Sequence, residues 1–417
     1  MSADLVLLAL LCALFVIPQV LVRWKVPAPI TAVALGLVAV VAGFPAGDAT
    51  VQMMATYGIS ALFLLAGLEV DPQEMRKGAP VLAAYLALMA ALLALAAWFF
   101  AAVLELPLRT GVLAALALLS PSAGFILHSL RSFGLSAQGE HWTRSKAIGA
   151  ELLALGVMFA ALQSTSPWRF LLSSLALAAV VAVVPALMRL FATRVAPFAP
   201  RSEFAFLLML AVVCAYATRK LGVHYLVGAF TVGVAARLFR EHLPAMSSER
   251  IFSAVEAFAS VFVPFYFFKA GLGIRVSDFS PVALLAGAAF LVGFLPLRAG
   301  LVYVLQRAWV GEPPEGARHV AVALLPTFVF SLVLAEILRD DFKSPPWLFG
   351  GIILYALVNT ALPGLLIRGA VVETDPAADA PSPTLSATLP ASAVAHVQTT
   401  TAGPQAAGPV TEARKAE

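Results

Sequence analysis

Residues 117–127 read ALLSPSAGFIL, a stretch in which polar, proline and glycine residues interrupt an otherwise apolar run. Proline removes a backbone donor and clashes with the preceding turn, and glycine permits unusual backbone dihedral angles. The stretch therefore predicts a helix that is broken at Pro121 and Gly124. Unwound backbone and the hydroxyl groups of Ser120 and Ser122 can face a cation at such a break.

A related stretch, ALLPTFVFSLVL at residues 323–334, places Pro326 205 residues after the first proline. Two more echoes occur in the same order. LLAGLEVDPQEM from Leu64 matches FKAGLGIRVSDF from Phe268 at an offset of 204, and PAPITAVALGL from Pro27 matches HYLVGAFTVGV from His224 at an offset of 197. Three matches at nearly constant spacing indicate an internal repeat. Thr327, beside the second proline, is a further candidate cation ligand.

The composition predicts an all-α polytopic membrane protein. Hydrophobic residues make up 61% of the chain and charged residues 12%, with a mean hydropathy of +0.92. Apolar runs of about 20 residues recur, the length with which a helix crosses roughly 30 Å of hydrocarbon. Barrel strands would alternate at period two, and these runs do not. The net charge of +4 reflects Lys and Arg in cytoplasmic loops and does not indicate nucleic-acid binding.

We predict thirteen membrane spans. Their ranges are 4–22, 27–44, 53–70, 80–104, 108–130, 146–163, 168–192, 203–220, 222–240, 250–272, 281–306, 318–338 and 346–368. The first range lacks the basic start and the cleavage site of a signal peptide. Lys and Arg are more frequent in the loops after odd-numbered spans, which places the N-terminus outside the cell membrane and the C-terminus in the cytoplasm.

Span one corresponds to span eight, a shift of seven spans. Because seven is an odd number, the second half enters the membrane from the opposite side. Inverted repeats of this kind are typical of secondary transporters. The transmembrane domain, residues 1–369, then comprises repeat one at about 1–165, a linker helix at about 168–192 and repeat two at about 203–368. Residues 370–417, rich in Ala, Pro, Thr and Ser, predict a disordered cytoplasmic tail.

Few charges lie inside the spans. In RSKAIGAELLALGVMFAA, residues 144–161, Glu151 is a lone carboxylate in an apolar run, and such acids usually mark an ion or proton pathway. Arg298, late in span eleven, also needs a partner, and Glu151 is its obvious counterpart. Lys269, near the end of span ten, and His128, just after the first break, are possible cavity residues. The alternative is snorkelling or a structural pair for Lys269, and a structural role on its helix for His128.

Several segments together resemble the cation:proton antiporter superfamily, most closely the bacterial Na⁺/H⁺ and K⁺/H⁺ exchangers of monovalent cation:proton antiporter type 2. Besides the broken helix and the following span with one acid, they are KVPAPITAVALGLV at 25–38, LFLLAGLEVD at 62–71, LGVHYLVGAFTVGVAAR at 221–237 and VPFYFFKAGLGI at 263–274. The resemblance covers residues 1–369. It implies a homodimer in the lipid bilayer, with no cofactor.

The resemblance also implies two crossing discontinuous helices, spans five and twelve, in a core domain that moves like an elevator against a dimerising domain. The acid of this family is normally an aspartate that follows a polar residue, and the matching pair here is Ala150 and Glu151. The usual basic residue, commonly lysine, matches Arg298.

These observations predict exchange of Na⁺ or K⁺ for protons, with the cation and the proton competing for Glu151. A single carboxylate favours electroneutral exchange. Two alternatives remain: a sodium-coupled organic-anion symporter, which also uses inverted repeats, and a non-transporting membrane sensor or scaffold of the same fold. Nothing in the sequence resembles a zinc-binding HExxH motif or a nucleophile–base pair, so we do not expect an enzyme.

Overall fold

The computed structural model describes residues 3–164, 166–199, 202–220, 225–238 and 249–367. Every long regular element in these ranges is a helix. The α-helices are α1 (Ala3–Val22), α2 (Ala28–Val41), α3 (Ala49–Leu68), α4 (Pro72–Lys77), α5 (Ala79–Ala102), α6 (Leu108–Leu119), α7 (Ala123–Ser129), α8 (Ala137–Gln163), α9 (Pro167–Arg194), α10 (Glu203–Lys220), α11 (Tyr225–Leu238), α12 (Glu249–Leu272), α13 (Pro281–Leu305), α14 (Pro314–Ala323), α15 (Phe328–Asp340) and α16 (Pro346–Leu366). The predicted tail lies outside the described residues.

Helix starts follow local sequence signals. Proline occupies the first turn of α9, α13 and α16, where its missing N–H costs nothing. Side-chain oxygens cap other starts, as Asp48 accepts from the N–H of Val51 at 2.9 Å and Ser136 from that of Gly139 at 3.0 Å. Because of the Ser136 cap, α8 begins nine residues before the predicted span 146–163.

By length and apolar composition, nine helical segments in the described part of the chain can cross a membrane. They are Ala49–Leu68, Ala79–Ala102, Leu108–Ser129, Ala137–Gln163, Pro167–Arg194, Arg250–Leu272, Pro281–Val310, Pro314–Asp340 and Pro346–Leu366, with shorter apolar helices at Ala9–Val22, Ala28–Val41 and Leu226–Leu238. α10 falls in neither group, since charged residues stand at its ends. The all-α membrane class is confirmed, and the count of thirteen spans stays a prediction.

The helices pack into two groups. The scaffold bundle contains α1–α3 and α10–α12, and the core bundle contains α5–α8 and α13–α16. The linker helix α9 contacts both, through α8 on one side and α10 and α11 on the other, and α3 meets α7 directly. Each bundle therefore takes helices from both halves of the chain.

Glycines set how closely helices cross in the scaffold bundle. A Cβ on Gly36 of α2 would stand 2.9 Å from the Cα of Gly271 in α12, and a Cβ on Gly67 of α3 would stand 2.9 Å from that of Gly233 in α11. Small residues allow this approach. The repeat alignment of the sequence equates Gly36 with Gly233 and Gly67 with Gly271, so the two crossings occupy matching positions, and the inverted repeat stays a prediction.

Candidate functional site

The first break separates α6 from α7 at residues 120–122. Ser120 has φ −78° and ψ 119°, and Ser122 has φ −91° and ψ 100°, so both are extended. A residue before proline is disfavoured in the helical region, which explains why α6 ends at the residue before Ser120. Gly124 lies in the first turn of α7, where a Cβ would stand 3.2 Å from the side chain of Leu62 in α3. The glycine therefore lets α7 approach the scaffold bundle.

The second break separates α14 from α15 at residues 324–327, around Pro326. The two breaks lie against each other. The backbone N–H of Ser122 donates to the carbonyl oxygen of Pro326 at 2.9 Å, and the hydroxyl of Ser331 in α15 donates to the carbonyl of Ala117 in α6 at 2.6 Å. The two interrupted helices thus cross at their interruptions in the core bundle.

Glu151 of α8 lies at this crossing. Its side chain is buried, with 3% of the residue exposed, and its Oε2 accepts a hydrogen bond from the backbone N–H of Ala123 at 2.9 Å. Ala123 is the first residue of α7, where backbone N–H groups lack helical partners and carry partial positive charge. The break therefore supplies the hydrogen-bond donor that a buried carboxylate needs.

Two hydroxyl groups flank the same break. Ser120 and Ser122 are each only 2% exposed. Within the described residues, neither hydroxyl makes a hydrogen bond. Their oxygens are therefore available as ligands close to the carboxylate.

Thr327, a predicted cation ligand, is hydrogen-bonded within the second break. Its Oγ1 accepts a hydrogen bond from the Nδ2 of Asn359 at 2.9 Å and lies 2.7 Å from the hydroxyl oxygen of Ser331, to which it can donate. A hydroxyl oxygen has two acceptor positions, and the Asn359 amide takes one of them. Asn359 of α16 also accepts from the hydroxyl of Thr360 at 3.1 Å. Thr327 thus ties the second break to α16.

Arg298 of α13 is buried beside the second break, but it does not meet Glu151. Its Nη1 donates to the carbonyl of Leu325 at 2.8 Å and to the Tyr355 hydroxyl at 3.2 Å, and its Nη2 donates to the carbonyl of Leu324 at 2.9 Å. Among the described residues, no ion pair within 4.0 Å joins it to Glu151. The predicted direct pairing is therefore absent, because the unpaired carbonyls at the end of α14 take the guanidinium donors.

Lys269 and His128 make contacts between the bundles. The Nζ of Lys269 in α12 lies 3.0 and 3.1 Å from the two carboxylate oxygens of Glu336 in α15. The Nδ1 of His128 in α7 lies 3.9 Å from Oε1 of Glu256 in α12, with both side chains partly exposed. Neither contact belongs to the crossing itself, and both join the core bundle to the scaffold bundle.

Sequence reasoning missed a buried polar group around Lys146. The sequence places Lys146 at the first position of predicted span 146–163, but in the structure it is fully buried within α8. Its Nζ donates to Oε1 of Gln306 at 2.5 Å, and Nε2 of Gln306 donates to the buried carboxylate of Glu312. The available sequence signal was the Ser136 cap, which starts the helix early.

In the described ranges, no three His, Cys, Asp or Glu side chains are grouped as a metal site would require. The crossing offers one carboxylate and hydroxyl oxygens. Oxygen ligands suit hard cations, and the lone acid supplies one negative charge.

Comparisons with known proteins agree with this fold. A family model described as "Sodium/hydrogen exchanger, transmembrane" matches residues 6–373. The solved structure of the sodium proton antiporter MjNhaP1 from Methanocaldococcus jannaschii at pH 8 is 16% identical, with a TM-score of 0.66 over 88% of this chain and 97% of that one. An electron-microscopy map of the same antiporter gives 16% identity and a TM-score of 0.59 over 88% and 96%. No curated protein sequence matches the chain significantly. At this identity, the two structures show likeness of fold alone.

Proposed function

Since the chain belongs to the sodium/hydrogen exchanger family, a family of membrane transporters, we propose that it exchanges Na⁺ or K⁺ for protons by competition for Glu151. The hydrogen bond from the Ala123 N–H to the buried carboxylate of Glu151, 2.9 Å long and located at the helix crossing, is the observation that carries the proposal. A carboxylate in this position takes either a proton or a cation, and each ion excludes the other.

The unbonded hydroxyl groups of Ser120 and Ser122 support the cation-bound half of the cycle, since their oxygens would replace part of the water shell of the ion. When the cation leaves, a proton on Glu151 removes its charge. A bound cation and a bound proton each neutralise one negative charge, so the exchange is electroneutral. Arg298 does not enter this exchange in our proposal, because it holds the end of α14.

We also propose that the core bundle carries Glu151 across the membrane by moving against the scaffold bundle. The two-bundle packing supports this motion, since α6–α8 and α14–α15, which carry the site, all belong to the core bundle. The scaffold bundle would pair with a second copy in a homodimer. The excess of Lys and Arg after odd-numbered spans supports an outside N-terminus in the cell membrane.

Exchange in proteoliposomes tests the proposal. Vesicles with an imposed pH gradient and an internal pH indicator receive Na⁺, K⁺ or Li⁺ while internal pH is followed. Wild type is expected to collapse the gradient only when a cation is added, and Glu151→Gln is expected to leave it intact. Glu140→Gln, a half-buried acid in the first turn of the same helix, is the matched control and should behave as wild type.

The same measurement separates the proposal from its rivals. Cation-dependent collapse that survives Glu151→Gln would contradict the assignment to this residue. Uptake of sodium that requires an organic anion and moves no protons would identify a symporter. Failure of wild type with every cation, together with no sodium uptake that depends on an organic anion, would contradict transport altogether and favour a sensor or scaffold.

A further inference from the structure

The buried group around Lys146 joins α8 to the second broken helix. Lys146 lies five residues before Glu151 on the same helix, about 7.5 Å along its axis. Its ammonium is 5.7 Å from the ring centroid of Tyr85 and 5.6 Å from that of Trp142, within the range of cation–π attraction. Its hydrogen-bond partner, Gln306, begins the π-helical segment Gln306–Val310 that follows α13.

Gln306 links two opposite charges. Its amide oxygen accepts from Lys146, and its amide nitrogen donates to Oε2 of Glu312, two residues before α14 begins. The backbone N–H of Glu312 also donates to the Gln306 carbonyl at 3.3 Å. We call Lys146, Gln306 and Glu312 the buried relay. A buried charge without a partner is costly, so Lys146 and Glu312 stabilise each other through the amide of Gln306.

The backbone around Glu312 leaves room for its carboxylate. A Cβ on Gly316 of α14 would stand 2.8 Å from Oε1 of Glu312, and a Cβ on Gly139 of α8 would stand 3.4 Å from the same atom. The hydroxyl of Ser136 donates to this oxygen at 3.3 Å. Glycines from both helices therefore border the carboxylate, which shows that α8 and α14 approach each other at this point.

α8 is thus held at two points. Glu151 binds the start of α7, and Lys146 reaches the start of α14 through Gln306 and Glu312. We propose that Lys146 is a positioning residue: the buried relay holds α8 against α14, and this fixes where Glu151 stands relative to both broken helices. The inference rests on the proposed function, because its effect is read as a change in cation exchange.

A positioning role predicts a specific kinetic pattern. Loss of the relay shifts Glu151 relative to Ser120 and Ser122, and misplacement by about 1 Å can cost roughly 100-fold in rate. Lys146→Met is therefore expected to lower exchange per folded transporter by roughly 10- to 100-fold and to raise the cation concentration at half-maximal rate. Lys146→Arg keeps the charge and the donors and should retain most of the activity.

A charge exchange provides the sharpest test. An amide can turn by 180° and so serve either order of charges. Lys146→Glu and Glu312→Lys are each expected to lose exchange, whereas the double variant should recover to within a few-fold of wild type. In a Gln306→Leu background the exchanged pair should not recover. Arg144→Met, two residues away on the exposed side of α8, is the matched control.

The experiment measures exchange in proteoliposomes and thermal unfolding in detergent for every variant. Wild-type kinetics for folded Lys146→Met would overturn the inference, as would failure of the double variant when both single variants are impaired. If the single variants do not fold, recovery of folding by the double variant supports the pairing, and its absence overturns it. A wild type that shows no exchange overturns the proposed function instead, and the inference with it.

Discussion

The backbone N–H of Ser122 donates a hydrogen bond to the carbonyl oxygen of Pro326 at 2.9 Å, so the two helix interruptions are joined directly. Each residue lies in the unwound segment that interrupts a buried helix. The crossing brings the start of α7 and the end of α14 to one place in the core bundle. Glu151 faces the first of these ends and Arg298 the second, and each charge has the sign that its helix end favours.

Removal of the serine hydroxyls should weaken cation binding. Ser120→Ala and Ser122→Ala each remove one proposed oxygen ligand, and a hydrogen-bonding group at a charged site contributes roughly 1.5 to 3 kcal/mol. We expect the half-saturating cation concentration in proteoliposomes to rise by about 10- to 100-fold, with folding unchanged. Ser129→Ala, at the far end of α7, is the control. An unchanged half-saturating concentration in both variants would exclude these hydroxyls as ligands.

Arg298→Met should act on stability and not through Glu151. It leaves the carbonyls of Leu324 and Leu325 without donors, at a cost of roughly 1.5 to 3 kcal/mol for each lost bond. Arg298→Met should therefore lower the unfolding temperature in detergent by the same amount in the wild-type background and in the Glu151→Gln background. A smaller decrease in unfolding temperature in the Glu151→Gln background would instead show that Arg298 and Glu151 form a charge pair.

The glycine crossings predict a difference between alanine substitutions. In Gly67→Ala and Gly271→Ala, the added methyl would meet the backbone carbonyls of Phe230 and Val33, respectively. Overpacking of this kind costs roughly 1 to 3 kcal/mol, so the unfolding temperature should fall. Gly156→Ala in α8 has nothing within 4 Å of the new methyl and should be neutral or stabilising. Equal effects at all three positions would contradict the close packing.

Asp71 predicts a pH-dependent contribution to stability. Burial alone would raise its pKa, but hydrogen bonds from Arg237 and from the backbone of Glu74 and Gln73 outweigh this effect and lower the pKa. The Arg237 Nη2 lies 2.6 Å from the carboxylate, with both side chains about a quarter exposed. A lowered folded-state pKa stabilises the protein above the unfolded-state pKa, and this contribution is lost as pH falls through the folded-state value.

Asp71→Asn keeps the cap of α4 but removes the charge. We expect wild type to be more stable by roughly 0.5 to 1 kcal/mol at neutral pH, with the difference disappearing in acid. Unfolding temperatures in detergent across pH measure this. Asp48→Asn is the control, since Asp48 caps α3 and has no basic partner in the described structure. A difference that grows as pH falls would contradict the prediction.

Much of this architecture could be predicted from the sequence, because hydropathy and proline position act locally. The length of each apolar run predicts a helix, and Pro121 and Pro326 predict interruptions whatever the tertiary structure. The direction of a side chain, in contrast, depends on contacts with residues that are distant in the sequence. Arg298 looked like the partner of Glu151 because both are charges in apolar spans, but the nearest unpaired groups are carbonyls at the end of α14. Lys146 lies at the first position of its predicted span, and its partner Gln306 is 160 positions away, so no local pattern indicates their contact.

The most direct test of the central claim is the cation dependence of exchange at a series of pH values. If one cation and one proton compete for Glu151, the half-saturating cation concentration should rise about tenfold for each pH unit below the pKa of that residue. The maximal rate at saturating cation should stay constant, and Glu151→Gln should show no exchange at any pH. A half-saturating concentration that does not change with pH, or exchange that persists in Glu151→Gln, would contradict the account.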